Sequence, residues 1–458
     1  MKKIVLLLLI AVLLGALGHL VGLTTKQAFI LSVFSISISG TLLFWELRLG
    51  FVFVGSGMLF LTRSVDLEHF IQFASLDVIL FLIGMMIVIG AMKEAGVFGW
   101  LVGRLLQSQG LGGVRLFIIV MLLSAALSGL TGEVTSIIVM VAVILDICKS
   151  LKMDPTPLVI SSVMTTNIGS ASTLLGNPIG VLIALRAGLT FEDFLMCALP
   201  LSIVVLGMVI LILCIWYRDY IKDISSRLAD RKYSERFIHS VSLDSQMRTS
   251  IVLFAAMIAL IAMHKRLGLL FGIAENDLLI ILPVIFAGLV MFYRPQKIRS
   301  YIENEVEWAS LLFFMFLFAQ AGVIQSSGVA ELLAQILVES TGSRPAVLSA
   351  VTLFSSGLLS GALDNTVVVA SFIPVVKNLH LLHFGLNPLW WCLLFGACFG
   401  GNITAIGSTA NIVALGVLEK KLNKKVDFVE WLKLGLIVGV SSLVISYVAI
   451  LLLPMFFR

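Results

Sequence analysis

Two carboxylates stand where a membrane-spanning sequence can least accommodate them. Glu133 lies in the middle of the apolar run 115–149, in Thr131-Gly132-Glu133-Val134-Thr135, and Asp364 lies in the middle of 345–377, in Leu363-Asp364-Asn365-Thr366. A charge in hydrocarbon is costly, so an acid kept there marks an ion or proton path by default; its plainer role is to cap the helix that follows. Two more polar breaks interrupt the runs 157–186 and 389–418: Gly169-Ser170-Ala171-Ser172-Thr173-Leu174-Leu175-Gly176-Asn177-Pro178 and Gly400-Gly401-Asn402-Ile403-Thr404-Ala405-Ile406-Gly407-Ser408-Thr409. Glycine permits the turn, and Ser, Thr and Asn oxygens with freed carbonyls bind a small cation. Helices starting after each break present partial positive charge to an anion. The chemistry this pattern suits is ion-coupled solute binding. Glu133 and Asp364 are the expected groups for a sodium ion or proton, and Thr135, Thr173, Asn365, Thr366, Asn402 and Thr404 are expected to line the solute site. No lysine or arginine inside a spanning segment offers itself as a counter-charge.

Other chemistries find little support. The six histidines are scattered near segment ends and loops, and the five cysteines lack paired spacing, so neither a metal centre nor a disulfide frame is expected. There is no HExxH, no Ser-His or Cys-His arrangement within a plausible pocket and no nucleotide-binding loop, so the chain is not expected to be an enzyme and needs no cofactor beyond its coupling ion.

The elements that must hold these breaks are helices in a bilayer. Apolar residues make up 59% of the 458 and charged ones only 12%, with a mean hydropathy of +1.10, which excludes a soluble domain. About 20 apolar residues span roughly 30 Å of hydrocarbon. Such runs occur near 4–22, 28–46, 49–62, 76–92, 157–186, 195–217, 249–263, 277–293, 308–325, 389–418 and 431–456. The expectation is an all-α polytopic membrane protein with about 11 transmembrane helices. The runs 115–149 and 345–377 are judged too short for two crossings each and are expected as re-entrant hairpins. The opening Met1-Lys2-Lys3 and apolar run resemble a signal peptide but lack a small-x-small cleavage site, which predicts a retained first helix over 1–24.

Charge tests this layout. With the N-terminus inside and both hairpins re-entrant, 23 of the 31 lysines and arginines fall on the inner side and eight on the outer, which predicts an inner-membrane protein with a cytoplasmic N-terminus and an outward C-terminus. This bias accounts for the net charge of +5, and no nucleic-acid partner is required.

An internal repeat at a spacing near 232 residues organises the whole. ALSGLTGEVTSIIVMVAVI (126–144) aligns with LLSGALDNTVVVASFIPVV (358–376), which sets Ser128 on Ser360; SASTLLGNPIG (170–180) aligns with GNITAIGSTAN (401–411), which sets Thr173 on Thr404 and Gly176 on Gly407. Units 25–217 and 249–458 are thus expected as repeats, joined by the polar stretch 218–248 on the inner face. The charge-derived topology makes them inverted, a plan that recurs in secondary transporters.

These motifs carry a resemblance over nearly the whole chain after the first helix. A re-entrant tip, an unwound Gly/Thr/Ser/Asn helix and an inverted duplicate of both resemble the ion transporter superfamily, which includes arsenite permeases, NhaD-type sodium/proton antiporters, the melanosomal P protein, citrate transporters and the divalent anion/sodium symporters. Asp364-Asn365-Thr366 is close to the Ser-Asn-Thr tip of the symporters and to the Asp-Asn of the antiporter branch, whereas Gly132-Glu133-Val134 departs from both. A fixed carboxylate there repels a doubly charged anion unless a proton or sodium ion neutralises it. By resemblance, one cation site would use Ser128, Gly132, Glu133 and carbonyls near Gly176, and the other Ser360, Asp364, Asn365 and carbonyls near Gly407. Ser172, Asn177 and Ser408 belong to the same unwound segments. The resemblance implies a homodimer working by alternating access on a small inorganic or organic anion, or, as the alternative, a sodium/proton antiporter whose transport site is the two acids themselves. A gated channel is a further alternative.

Overall fold

The computed structural model describes residues 22–106, 112–229, 244–274, 277–342, 344–381, 387–422 and 426–453, together with Leu7, Leu13, Gly15 and Gly18. The expected first helix, much of the linker and the C-terminal end therefore lie outside the described residues. Among the described residues twenty-two helices follow one another: α1 (Thr25–Leu43), α2 (Arg48–Leu61), α3 (Leu67–Phe73), α4 (Leu76–Glu94), α5 (Val97–Leu106), α6 (Gly113–Thr131), α7 (Glu133–Leu151), α8 (Thr156–Ser170), α9 (Pro178–Ala187), α10 (Phe191–Trp216) and α11 (Arg218–Ala229) form the first half. The second half holds α12 (Ser245–Ala262), α13 (His264–Phe271), α14 (Asp277–Tyr293), α15 (Pro295–Glu305), α16 (Trp308–Ser326), α17 (Val329–Thr341), α18 (Pro345–Ala362), α19 (Asn365–Leu381), α20 (Asn387–Gly400), α21 (Thr409–Leu422) and α22 (Phe428–Leu452). No strand occurs among the described residues.

Nine of these helices are long and apolar enough to cross a membrane, or ten if the bent pair α14 and α15 counts as one span. The expected 11 are a different set, since they include the run 4–22, outside the described residues, and leave out the hairpin arms, three of which are among these nine; within that set, local features alter single runs. The runs 157–186 and 389–418 are each split at their polar breaks into α8 with α9 and α20 with α21. The chain turns by 107° at Pro295, whose ring cannot continue the helix that precedes it, and α2 has only 14 residues. The hairpins extend beyond their expected bounds, and each 19-residue arm of the first is about 28 Å long at 1.5 Å per residue. Arm length is thus compatible with a crossing. What makes this pair a hairpin is that α6 and α7 pack on each other and on α8, with the tip against the break that follows α8.

Packing is laid out alike in the two halves. α6 lies along α8 and α18 along α20, while the outgoing arm α7 packs on α21 and the outgoing arm α19 packs on α9. Each hairpin therefore leans on the broken helix of the other half. The approach of α6 to α8 is close enough that a Cβ on Gly169 would come 2.1 Å from the Ala125 carbonyl oxygen, and one on Gly400 would come 2.1 Å from that of Gly357. Small residues let lipid-embedded helices meet backbone to backbone, where dispersion and polar contacts replace the hydrophobic drive available in water. Of the expected linker, α11 buries Ile221 and Ile224, and Arg227 Nη1 donates to the carbonyls of Leu151 and Lys152 at 2.9 and 2.8 Å, seating this helix on the base of the first hairpin.

Because backbone cannot yield as a flexible side chain does, Gly169→Ala and Gly400→Ala are each expected to cost about 1–3 kcal/mol. Thermal unfolding of the purified chain in detergent should show a melting temperature several degrees lower for both. Gly207→Ala, on α10 with nothing within 4 Å of its added methyl, should be neutral or slightly stabilising.

Candidate functional site

Both hairpin tips reach one cavity. Glu133, at the first turn of α7, is 4% exposed and Asp364, just before α19, is 5% exposed, and both line a cavity of about 100 Å³. That volume accommodates several waters or a small ion with part of its shell. The tips are built differently. The first turns at Gly132, whose φ of 87° suits a residue without a Cβ, while the second passes through Leu363 in extended geometry at φ −116°. This explains why glycine precedes one acid and leucine the other.

Each carboxylate has defined neighbours. Asn365 Nδ2 lies 3.4 Å from both Glu133 oxygens, so one tip reaches across to the other. Asp364 Oδ1 accepts from the Thr366 amide at 3.0 Å, which is the capping contact at the start of α19, and its Oδ2 accepts from the Thr409 hydroxyl at 2.6 Å. The cap and the cavity roles are thus divided between the two oxygens of one side chain. The Glu133 amide donates to the Gly176 carbonyl at 3.0 Å, tying the first tip to the unwound segment.

Of the expected site residues, the structure brings Gly132, Glu133, Thr135, Asn177, Asp364 and Thr366 to the cavity wall. Others serve as pins. The Thr173 hydroxyl donates to the Gly129 carbonyl and accepts from the Leu175 amide at 3.1 Å; the Thr404 hydroxyl donates to the Gly361 carbonyl and accepts from the Ile406 amide at 3.2 Å. The same pair of bonds thus holds hairpin to unwound segment in each half. Ser172 donates to the Gly169 carbonyl and Ser360 to the Ala397 carbonyl, each at 2.6 Å. Gly176 receives the Glu133 amide, and the Gly407 amide turns back to the Thr404 carbonyl at 3.2 Å. Ser128 is fully buried and its hydroxyl has no hydrogen-bond partner, which leaves an oxygen beside the first tip free to bind a cation.

A second group of expected residues joins the two halves. Asn167 Nδ2 lies 2.8 Å from Asn402 Oδ1 and 2.9 Å from Asn411 Oδ1, and the Ser408 hydroxyl is 2.9 Å from Asn167 Oδ1 and from Asn411 Oδ1. Asn411 Nδ2 also donates to the carbonyls of Gly401 and Thr404 at 2.8 and 2.9 Å. Asn177 caps α9 through the Gly180 amide at 2.7 Å and donates to Ser170 at 3.0–3.1 Å and towards Cys398 Sγ at 3.1 Å. Sequence reasoning missed Asn167 and Asn411; the signal was an amide at the edge of each polar break, just before Gly169-Ser170 and just after Ser408-Thr409.

The sequence offers no lysine or arginine inside a spanning segment as a counter-charge; a basic residue from a segment end nevertheless shares the cavity wall with the acids. Arg48, at the start of α2, lines the same cavity, with its guanidinium 4.3 Å from the Trp45 ring centre and Nη2 donating to Ser310 Oγ at 3.1 Å. Ser310 in turn donates to Glu307 at 3.2 Å. Glu305 also lines the cavity and pairs with Lys93 at 2.9 Å, while Glu94 pairs with Lys297 at 2.8 Å. Lys93 and Glu94 are therefore held in partly exposed ion pairs between the halves. Arg48, Glu305 and Glu307 escaped notice because charges at segment ends look like interface markers.

Comparison with known proteins follows this geometry. The family model for citrate transporters matches residues 2–396. An uncharacterized transporter of Mycobacterium tuberculosis is 33% identical over 401 residues, covering 86% of this chain and 89% of its own. The human P protein is 26% identical over 468 residues, covering 84% of this chain and 55% of its own. The crystal structure of the YdaH transporter from Alcanivorax borkumensis matches with a TM-score of 0.56 at 16% identity, over 88% of this chain and 89% of that one, a likeness of fold.

Asn167→Ala removes one hub and leaves Asn402, Asn411 and Ser408 short of partners in a buried site. The expected cost is about 2–4 kcal/mol, read as a loss of thermal stability larger than that of either helix-packing glycine variant.

Proposed function

Because the chain belongs to the citrate transporter family, we propose that it is a secondary transporter that carries a small anion across the membrane together with a sodium ion or proton. The observation that carries this reading is the meeting of two buried carboxylates, one from each hairpin tip, in a single cavity that also holds a guanidinium. In this reading Glu133 and Asp364 take up the coupling cation, with the unpartnered Ser128 hydroxyl beside the first of them. Their neutralisation lets an anion approach, and Arg48 supplies the charged donor that meets it, joined by the Thr409 hydroxyl once a neutral Asp364 no longer holds its proton. A cation and an anion bound side by side stabilise each other in a medium of low dielectric, which is the physical basis of symport.

The inverted repeat fits alternating access: the hairpin-bearing parts of units 25–217 and 249–458 would rock against the scaffold about the shared cavity, in an inner-membrane protein with its N-terminus in the cytoplasm, its C-terminus outside and two copies associated through their scaffold helices. The surplus of carboxylates at the cavity, with Glu133, Asp364, Glu305 and Glu307 against Arg48 and the Lys93 bound to Glu305, favours a second reading. There the acids are the whole transport site and the chain exchanges sodium for protons.

The test is flux in proteoliposomes with an internal pH dye, using the full chain, pulses of sodium or lithium, and then the same pulses with citrate or another di- or tricarboxylate present. Anion-dependent ion movement is expected, falling at least about tenfold in Glu133→Gln and Asp364→Asn, since each removes a charge-assisted ligand. Cation pulses that move protons with no anion present, and fail to in both variants, would replace symport by antiport.

A further inference from the structure

A second, larger cavity of about 500 Å³ lies at the other end of the same helices. α9 gives Pro178 to the acidic cavity and Arg186 to this one; α19 gives Thr366 to the first and Lys377 to the second; α16 gives Ser310 to the first and Gln325 to the second. At 1.5 Å per residue these pairs are separated by roughly 12–22 Å along their helices. On the topology expected from the charge distribution, the second cavity faces outward.

Its charge is opposite to that of the first. Arg186 and Lys377 are the basic groups on its wall, which carries no acid among the described residues. Arg186 is held at its rim, with Nη1 3.2 Å from Asp77 Oδ2 and Nη2 donating to Ser75 Oγ at 2.6 Å. The charged groups that act on Lys377 are this same Arg186 and Asp77, so the nearby carboxylate is already engaged by the guanidinium. Gln72, Gln325 and Asn378 add amide groups around them. A half-buried ammonium facing a roomy cavity, beside a guanidinium whose single acid is shared, is short of negative charge. Low-dielectric walls focus that field on the cavity interior.

We propose that this second cavity is an anion-capture site, in which Lys377 and Arg186 bind a small carboxylate or other oxyanion before it passes to the acid-lined cavity. The proposal rests on the reading of the chain as an anion transporter. Lys377 supplies a compact charge, and Arg186 can turn a fork of donors from Asp77 to a second carboxylate. An anion drawn into this cavity is concentrated next to the barrier beyond which the carboxylates wait for their cation. That separates recruitment, which requires positive charge, from coupling, which requires negative charge.

The experiment is amine acylation of the full chain in detergent, with the rate at Lys377 read by mass spectrometry in the presence of citrate, phosphate or chloride. At a citrate concentration about ten times its dissociation constant, acylation of Lys377 should slow about tenfold, saturably, while Lys93 and Lys420 are unaffected and chloride at equal ionic strength has no effect. Lys377→Gln should raise the half-saturating citrate concentration for uptake about tenfold and leave the maximal rate unchanged. Lys377 acylation indifferent to citrate and phosphate, or slowed equally by chloride, overturns the capture site. Indifference in a protein that still moves anions overturns the capture site alone; protection in a protein that moves none leaves the site standing and removes the transport reading.

Discussion

The hydrogen bond from the Glu133 amide to the Gly176 carbonyl joins the two irregular pieces of the first half. Everything else about the site follows from the need it meets. Polar backbone at membrane depth has no water to turn to, so a helix may break there only where another part of the protein supplies the missing partner. The hairpin tip and the unwound segment each break a helix, and each satisfies part of the other. Thr173 on Gly129 and Thr404 on Gly361 repeat this mutual supply with hydroxyls in place of an amide. The cavity is what remains once these debts are settled. Its lining includes both tip carboxylates, one of which also caps the helix that follows it.

Much of this was legible in the sequence because irregularity in a lipid-facing chain has to be written in unusual residues. The runs Gly132-Glu133, Asp364-Asn365-Thr366 and the two Gly/Ser/Thr/Asn breaks stand out against their apolar surroundings, and all four fall at helix ends in the structure. Which hydroxyl turns to a carbonyl and which to the cavity was not legible. Thr173 and Thr366 are the same residue type in similar strings, and only the position of the neighbouring helix decides between them. Asn167 and Asn411 were missed because their partnership spans 244 residues of chain. Arg48 was missed because a basic residue at the end of an apolar run serves equally well as a topology marker. The span count differed where a run long enough to cross was divided, at Gly176-Asn177-Pro178 and its counterpart, or turned sharply at Pro295.

Electrostatics and packing divide the same helices into three zones. One end carries the carboxylates with Arg48 among them, the other carries Arg186 and Lys377, and between them lie buried apolar residues such as Ile179, Val181, Val367 and Val369. Ion pairs at the edges, Lys93 with Glu305 and Arg186 with Asp77, each join a helix of the first half to another element of the bundle. Such pairs contribute modestly to stability, since their partners remain partly exposed. Their greater effect is on position, because each fixes which way a charge near a cavity points.

The contacts that cross from half to half carry a consequence for leakage. Slip, the passage of an ion without its solute, needs one tip to turn while the other stays in place. Here Asn365 of one tip lies against Glu133 of the other, and Asn167 of the first broken helix is bonded to Asn402 and Asn411 of the second. Turning one tip alone would part Asn365 from Glu133, and parting the broken helices would strand Asn167, Asn402 and Asn411, each stranded buried group costing about 1–3 kcal/mol. The two tips and the two broken helices are thus tied to one another across the halves, so that neither tip is held by its own half alone.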